Sequence, residues 1–142
     1  MDYEELACEL MNNRADLLPV PASQQVSRLA RGELFVLNYL RSNDRIVHPK
    51  ELSEKMAVST ARVASLLNHM EGKRFVVRVP DPQDSRQVIV RLTREGAELI
   101  EKTRSEVMCY AAKMLEELGP EDAAAYIRIQ KKIIRNFRKE HV

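Results

Sequence analysis

Asp81, Asp84 and Arg86, in the stretch DPQDSRQVIVRL, follow the spacing D-x-x-D-x-R. Two positions apart in a turn, the Asp84 carboxylate can pair with the Arg86 guanidinium and set its direction, while Arg78 and Arg91 keep the surrounding segment basic. An arginine held out from a turn suits the narrow, electronegative minor groove of duplex DNA, which is read by shape and A·T content more than by base identity. A plain exposed ion pair, worth little, is the simpler reading. Upstream, STARVASLLNHM places Ser59, Thr60, Ala61, Arg62, Ser65 and Asn68 in a small, polar set. Small residues permit close approach to the major groove, where Arg62 could reach a guanine edge and Asn68 an adenine or a phosphate. Lys50, Lys73 and Arg74 are further candidates for phosphate contacts.

Charge supports a polyanionic partner once it is divided along the chain. The formal net charge is only +2, but residues 45 to 94 hold ten basic and five acidic side chains. Residues 1 to 44 hold four and seven, and residues 95 to 142 hold nine of each. A positive field confined to one segment suits nucleic acid, because displaced counterions supply the sequence-independent part of the affinity. A merely solvated charged face gives the same arithmetic.

These residues need elements to carry them, and the apolar periodicity supplies them. Leu34, Leu37 and Leu40, broadened by Phe35, Val36 and Tyr39, predict a largely buried helix over 32–43. Pro49 suits a first helical position and Leu52 with Met56 is an i, i+4 apolar pair, so HPKELSEKMAV predicts a short helix. Ser59 is a good N-cap for the next helix, whose stripe is Val63, Leu66, Leu67 and Met70, leaving Ser65 and Asn68 on the other side. FVVRV and QVIVRL then predict two strands on either side of PDPQDSR, a charged, protruding loop. Thr93 can cap a long helix from Arg94, where Gly96 in the first turn suggests close packing, and Gly119 with Pro120 stops it.

From LSEKMAV through REGAELI the chain resembles the MarR (multiple antibiotic resistance regulator) winged helix-turn-helix transcription factors. The shared pattern is a short helix, a turn, a recognition helix, a D-x-x-D-x-R wing and an L-T-x-x-G helix start, matched by Asp81, Asp84, Arg86, Leu92, Thr93 and Gly96. The detailed resemblance covers roughly residues 34 to 100. It implies a homodimer on palindromic double-stranded DNA, with recognition helices in successive major grooves and wing arginines in the flanking minor grooves, released when a small ligand or an oxidant binds. Two features depart from the pattern. Members usually carry a glycine just before the first wing strand, where this chain has Arg74, with Gly72 two residues earlier. Either Gly72 ends the helix in the left-handed region, or Arg74 adopts that conformation itself. The family's long first helix is also shortened, since Pro19 and Pro21 predict a short helix followed by a loop.

The expected fold is therefore mainly α with a small β-hairpin wing, in a single MarR-like domain over 1–142. Residues 32–93 form the DNA-binding lobe, and 1–18 with 94–140 form a helical dimerisation region. Ala97, Ile100, Val107, Ala111, Met114, Leu115 and Leu118, followed by Ile127, Ile134 and Phe137, make more apolar stripe than one chain easily covers. Pairing across a two-fold axis would cover it and set two recognition helices about one DNA turn, ~34 Å, apart. An intramolecular helical hairpin is the alternative.

Other chemistry finds little material. Four glycines leave no phosphate-cradling loop, and His48, His69 and His141 are too scattered for a metal site, so no enzyme, metal or cofactor is expected. Neither a membrane-length apolar run nor a leader is seen, which makes the cytoplasm the default. Cys8 and Cys109 read as ordinary semi-buried thiols, with a redox switch as the alternative. Phe35, Tyr39 and Tyr110 are candidates to line an effector pocket, against plain core packing. A winged-helix module that binds a protein rather than specific DNA is the rival function.

Overall fold

The structure, a computed structural model, describes residues 1–141. Asp2 opens α1 (Tyr3–Leu17) by accepting from the N–H groups of Glu4 and Glu5. The loop expected after it is absent. Pro21 instead starts α2 (Pro21–Arg28), leaving only Leu18 to Val20 between the helices. Proline at a first helical position forfeits no hydrogen bond, so the same residue that ends one helix can begin the next. Three helices follow: α3 (Gly32–Ser42), α4 (Pro49–Met56) and α5 (Thr60–Gly72). Ser59 caps α5 through the Arg62 N–H at 3.1 Å. Strands β1 (Val76–Pro80) and β2 (Val88–Leu92) pair antiparallel, from Val76 opposite Leu92 to Pro80 opposite Val88. Thr93 caps α6 (Arg94–Leu118), and Gly119, at φ 84°, turns the chain into α7 (Pro120–Glu140).

Among the described residues, two other than glycine occupy the left-handed region, Ala57 at φ 54° and Arg74 at φ 64°. Each closes a helix of the helix-turn-helix. After α4, the Ala57 N–H reaches Glu54 O and the Val58 N–H reaches Ser53 O; after α5, Arg74 reaches Glu71 O and Phe75 reaches Met70 O. These paired bonds satisfy carbonyls that the helices leave open, and they need a left-handed residue at that place. Arg74 thus takes the strained alternative, while Gly72 stays inside the helix. Arg74→Gly is expected to stabilise the fold by about 0.5–1 kcal/mol, read as a rise in the urea midpoint. An unchanged or lower midpoint would mean that the arginine side chain contributes more than its backbone strain takes away.

The core lies in the middle of the chain. Leu37 from α3, Leu52 from α4, Leu67 and Met70 from α5, Val76 from β1 and Ile100 from α6 are all fully buried, and Val90 from β2 joins them. Burying one such side chain is worth about 1.5–3 kcal/mol, so this cluster holds three helices, the hairpin and the start of α6 as one unit. The Val90 N–H donates to Val47 O at 3.0 Å, which ties the segment before α4 to the hairpin. Helix α6 continues outward, packed by α2 and α7. The terminal helices differ from the rest: neither α1 nor α7 buries a single residue.

Candidate nucleic-acid interface

Helix α5 is anchored by Val63, Leu67 and Met70, all buried, with Leu66 half-buried. That anchoring leaves Thr60, Ala61, Arg62, Ser65, Asn68 and His69 exposed. Arg62 and Ser65 sit one turn apart in the N-terminal half, the half that enters the groove in helix-turn-helix docking. Ser59 is exposed too, but its hydroxyl is occupied by the cap.

The expected basic residues divide into two groups. Arg78 reaches back from β1 to α5, donating from Nε to Glu71 Oε2 at 2.7 Å and from Nη2 to Asn68 Oδ1. It is a strut between wing and helix, with 29% of its side chain exposed, rather than a free wing cation. Since a guanidinium only donates, the Asn68 oxygen is turned toward it and the Asn68 amide NH2 is left to face outward. Lys73 pairs with Glu33 at 3.1 Å. Lys50, in the first turn of α4, Arg74 and Arg91 remain exposed.

Arg86 stands apart from these, with its side chain 90% exposed at the hairpin tip. Asp84 Oδ1 accepts from both its backbone N–H and its Nε at 3.2 Å, so the expected Asp84–Arg86 pair forms. Asp81 is the buried member of the motif, 7% exposed. Its Oδ1 accepts from the Gln83 N–H at 2.9 Å and its Oδ2 lies 2.8 Å from His48 Nε2. The hydrogen bond from His48, then that from Gln83, holds the Asp81 carboxyl below the usual carboxylate range. Sequence reasoning missed His48 as part of this turn, because a partner 33 positions away leaves no local spacing to read.

Phe35 and Tyr39 stack on each other along α3, with ring centroids 5.8 Å apart, whereas Tyr110 lies on α6 with nearly half its surface exposed. The Tyr39 hydroxyl donates to Glu51 Oε2 at 2.5 Å, and Arg45 grips the same carboxylate at 2.8 and 3.0 Å. Tyr39 therefore fastens α3 to α4. An apolar groove of about 450 Å³ opens elsewhere, between Leu17 and Leu18 of the α1 end, Val26 of α2, Met114 of α6 and Tyr126 and Ile127 of α7. Cys8 and Cys109 are both exposed rather than semi-buried, since nothing in one chain covers α1 or that side of α6. Among the described residues no group of His, Cys, Asp and Glu could hold a metal ion, and no helix is long and apolar enough to cross a membrane.

A three-helix lobe, a two-stranded hairpin and long flanking helices define a winged helix-turn-helix protein. The MarR family model matches residues 23–87. YdgJ, an uncharacterized HTH-type transcriptional regulator of Bacillus subtilis, is 29% identical over 109 residues, 77% of this chain and 66% of its own. NicR, an HTH-type transcriptional repressor of Pseudomonas putida, is 34% identical over 69 residues, 49% of this chain and 40% of its own. The chain spans just under two thirds of the length of the Bacillus subtilis relatives, 66%, 62% and 65%. A MarR family protein from Bacillus stearothermophilus superposes with a TM-score of 0.75 at 22% identity, over 97% of this chain and 99% of that one. AbsC, a MarR family transcriptional regulator from Streptomyces coelicolor, gives 0.70 at 20% identity over 98% and 97%. The chain is similar to MarR family proteins, in sequence over residues 23–87 and in fold over nearly its whole length.

Proposed function

We propose that this protein is a sequence-specific, DNA-binding transcriptional regulator that works in the cytoplasm as a homodimer and represses from palindromic operators. Residues 32–93 act as the DNA-binding lobe, and 1–18 with 94–140 as the dimerisation region. The observation that carries the reading is the pairing, on one basic lobe, of an exposed Arg62–Ser65 face with an outstretched Arg86. The first can enter a major groove while the second reaches the adjoining minor groove. Dimerisation is supported by apolar side chains that one chain leaves bare on α1 and α7, including Leu10 at 70%, Ile133 at 63% and Phe137 at 60% exposed. It is supported as well by charge, since residues 1–18 hold five acidic side chains against one basic, and 120–140 hold six basic against three acidic. Release by a small apolar molecule fits the groove between α1, α2, α6 and α7, and release by an oxidant fits the two exposed thiols.

Selection from a random duplex library, followed by a salt titration of the winning sequence, tests the reading. A palindrome with half-sites about one turn, ~34 Å, apart is the expected result. On that duplex Arg86→Ala should weaken binding about tenfold and lower the salt slope by about one unit, with little change in sequence preference. Arg62→Ala should instead relax the preference at one base pair of each half-site, by about 1–3 kcal/mol. No enriched sequence, with weak and strongly salt-dependent binding alone, would point to a winged helix that binds protein.

A further inference from the structure

We propose that His48 is the positioning residue of the wing: through Asp81 it sets where Arg86 stands relative to the recognition helix. The inference rests on the DNA-binding reading, and it begins from an oddity at the start of α4. His48 is the N-cap of that helix, a place that favours Ser, Thr, Asp or Asn, and its side chain makes no capping bond. The ring turns the other way, across to the hairpin, and places Nε2 2.8 Å from Asp81 Oδ2. An ionised carboxylate only accepts, so the proton lies on Nε2 and the imidazole is the donor.

Asp81 is the hub from which the rest of the turn hangs. Its Oδ1 accepts from the Gln83 N–H and its own N–H donates to Gln87 O, both at 2.9 Å. The Gln87 N–H donates in turn to Asp84 O at 2.9 Å, and Asp84 Oδ1 holds Arg86 by backbone and side chain. A continuous path of hydrogen bonds therefore runs from His48 to the arginine, with every residue beyond Asp81 on the loop.

His48 is itself well fixed. Pro49 keeps the residue before it out of the helical region, and His48 has φ −97° and ψ 153°. On its other side Val47 is fully buried and accepts from the Val90 N–H of β2. The imidazole is thus mounted between the start of α4 and the second wing strand, and it anchors the tip of the hairpin while Arg78 anchors its root. Removing it would leave a buried carboxylate oxygen of Asp81 without its partner and free the tip to swing.

The experiment has two arms. Without DNA, amide hydrogen exchange at Asp81, Gln83 and Gln87 should speed up in His48→Ala and stay near the parent rate in His48→Gln, whose amide can still donate. With the selected duplex, His48→Ala should weaken binding about fivefold, and the double variant with Arg86→Ala should remain within about twofold of Arg86→Ala alone. Exchange left unchanged, or losses in the two single variants that simply multiply in the double, would overturn the proposal. If His48→Ala does not fold, His48→Phe, which keeps a ring but no donor, is read in the same two ways. A parent protein that selects no duplex would sink the DNA-binding reading instead, and the exchange arm would still decide whether His48 holds the wing.

Discussion

Gly96→Ala is expected to destabilise the protein by about 3 kcal/mol or more, the largest effect of a methyl group added at any of its four glycines. Gly96 is the third residue of α6, and a Cβ there would lie 2.0 Å from the Phe75 carbonyl oxygen and 3.0 Å from its carbon. The obstacle is backbone, and it is held from both sides. Phe75 O accepts from the Thr93 N–H at 3.1 Å, while the Phe75 N–H closes α5 by donating to Met70 O at 3.0 Å. Moving Phe75 aside would break the cap of the recognition helix or the junction with α6. At roughly 2–4 °C per kcal/mol for a chain of this size, thermal unfolding should begin about 10 °C lower. Urea denaturation of parent and variant measures the loss directly. A difference below about 1 kcal/mol would show that the wing root shifts freely, and that Gly96 is not what fixes the hairpin to the long helix.

Ile133→Glu is expected to separate the dimer and to reduce operator affinity on the order of 100-fold, because each freed lobe then binds its half-site without the other held nearby. Ile133 is 63% exposed in one chain, so a glutamate there is solvated in the monomer and leaves its fold intact. In a dimer the same carboxylate would be buried among apolar side chains, and an uncompensated buried charge is costly. Sedimentation should find a monomer with an unchanged helical circular dichroism spectrum. Retained dimers would remove the outer face of α7 from the interface, and monomers with undiminished affinity would remove the need for a dimer in DNA binding.

How far the sequence is legible can be followed through particular residues. The stripe Val63, Leu66, Leu67 and Met70 has the period of a helix, and those side chains are the buried or half-buried ones of α5. Ser59 and Thr93 cap where their position promised, because capping is a bond between residues three apart. Pro21 reads two ways in sequence, since proline both ends helices and begins them, and which one happens depends on what α2 packs against, namely α6. Arg74 is ambiguous in sequence for a similar reason. Its own propensity argues against φ 64°, and the Phe75 carbonyl, pinned by Thr93 across the wing root, overrides it.

The candidate site divides along the same line. Which residues of α5 stay exposed and which lie at the hairpin tip was readable from spacing, as was the Asp84–Arg86 pair, because those relations span one or two turns of chain. Which polar side chains are already engaged was not: Arg78 with Glu71 and Asn68, Lys73 with Glu33, and His48 with Asp81 are partners 7, 10, 40 and 33 residues apart. The sequence by itself determined the elements other than α2, their order, the N-caps Ser59 and Thr93, and the side that α5 turns to the core, since periodicity and capping are local. Only the tertiary structure decided which polar side chains hold the lobe together and which stay free for a partner. Those pairings exist only after distant segments have been folded against one another by the burial of the common core.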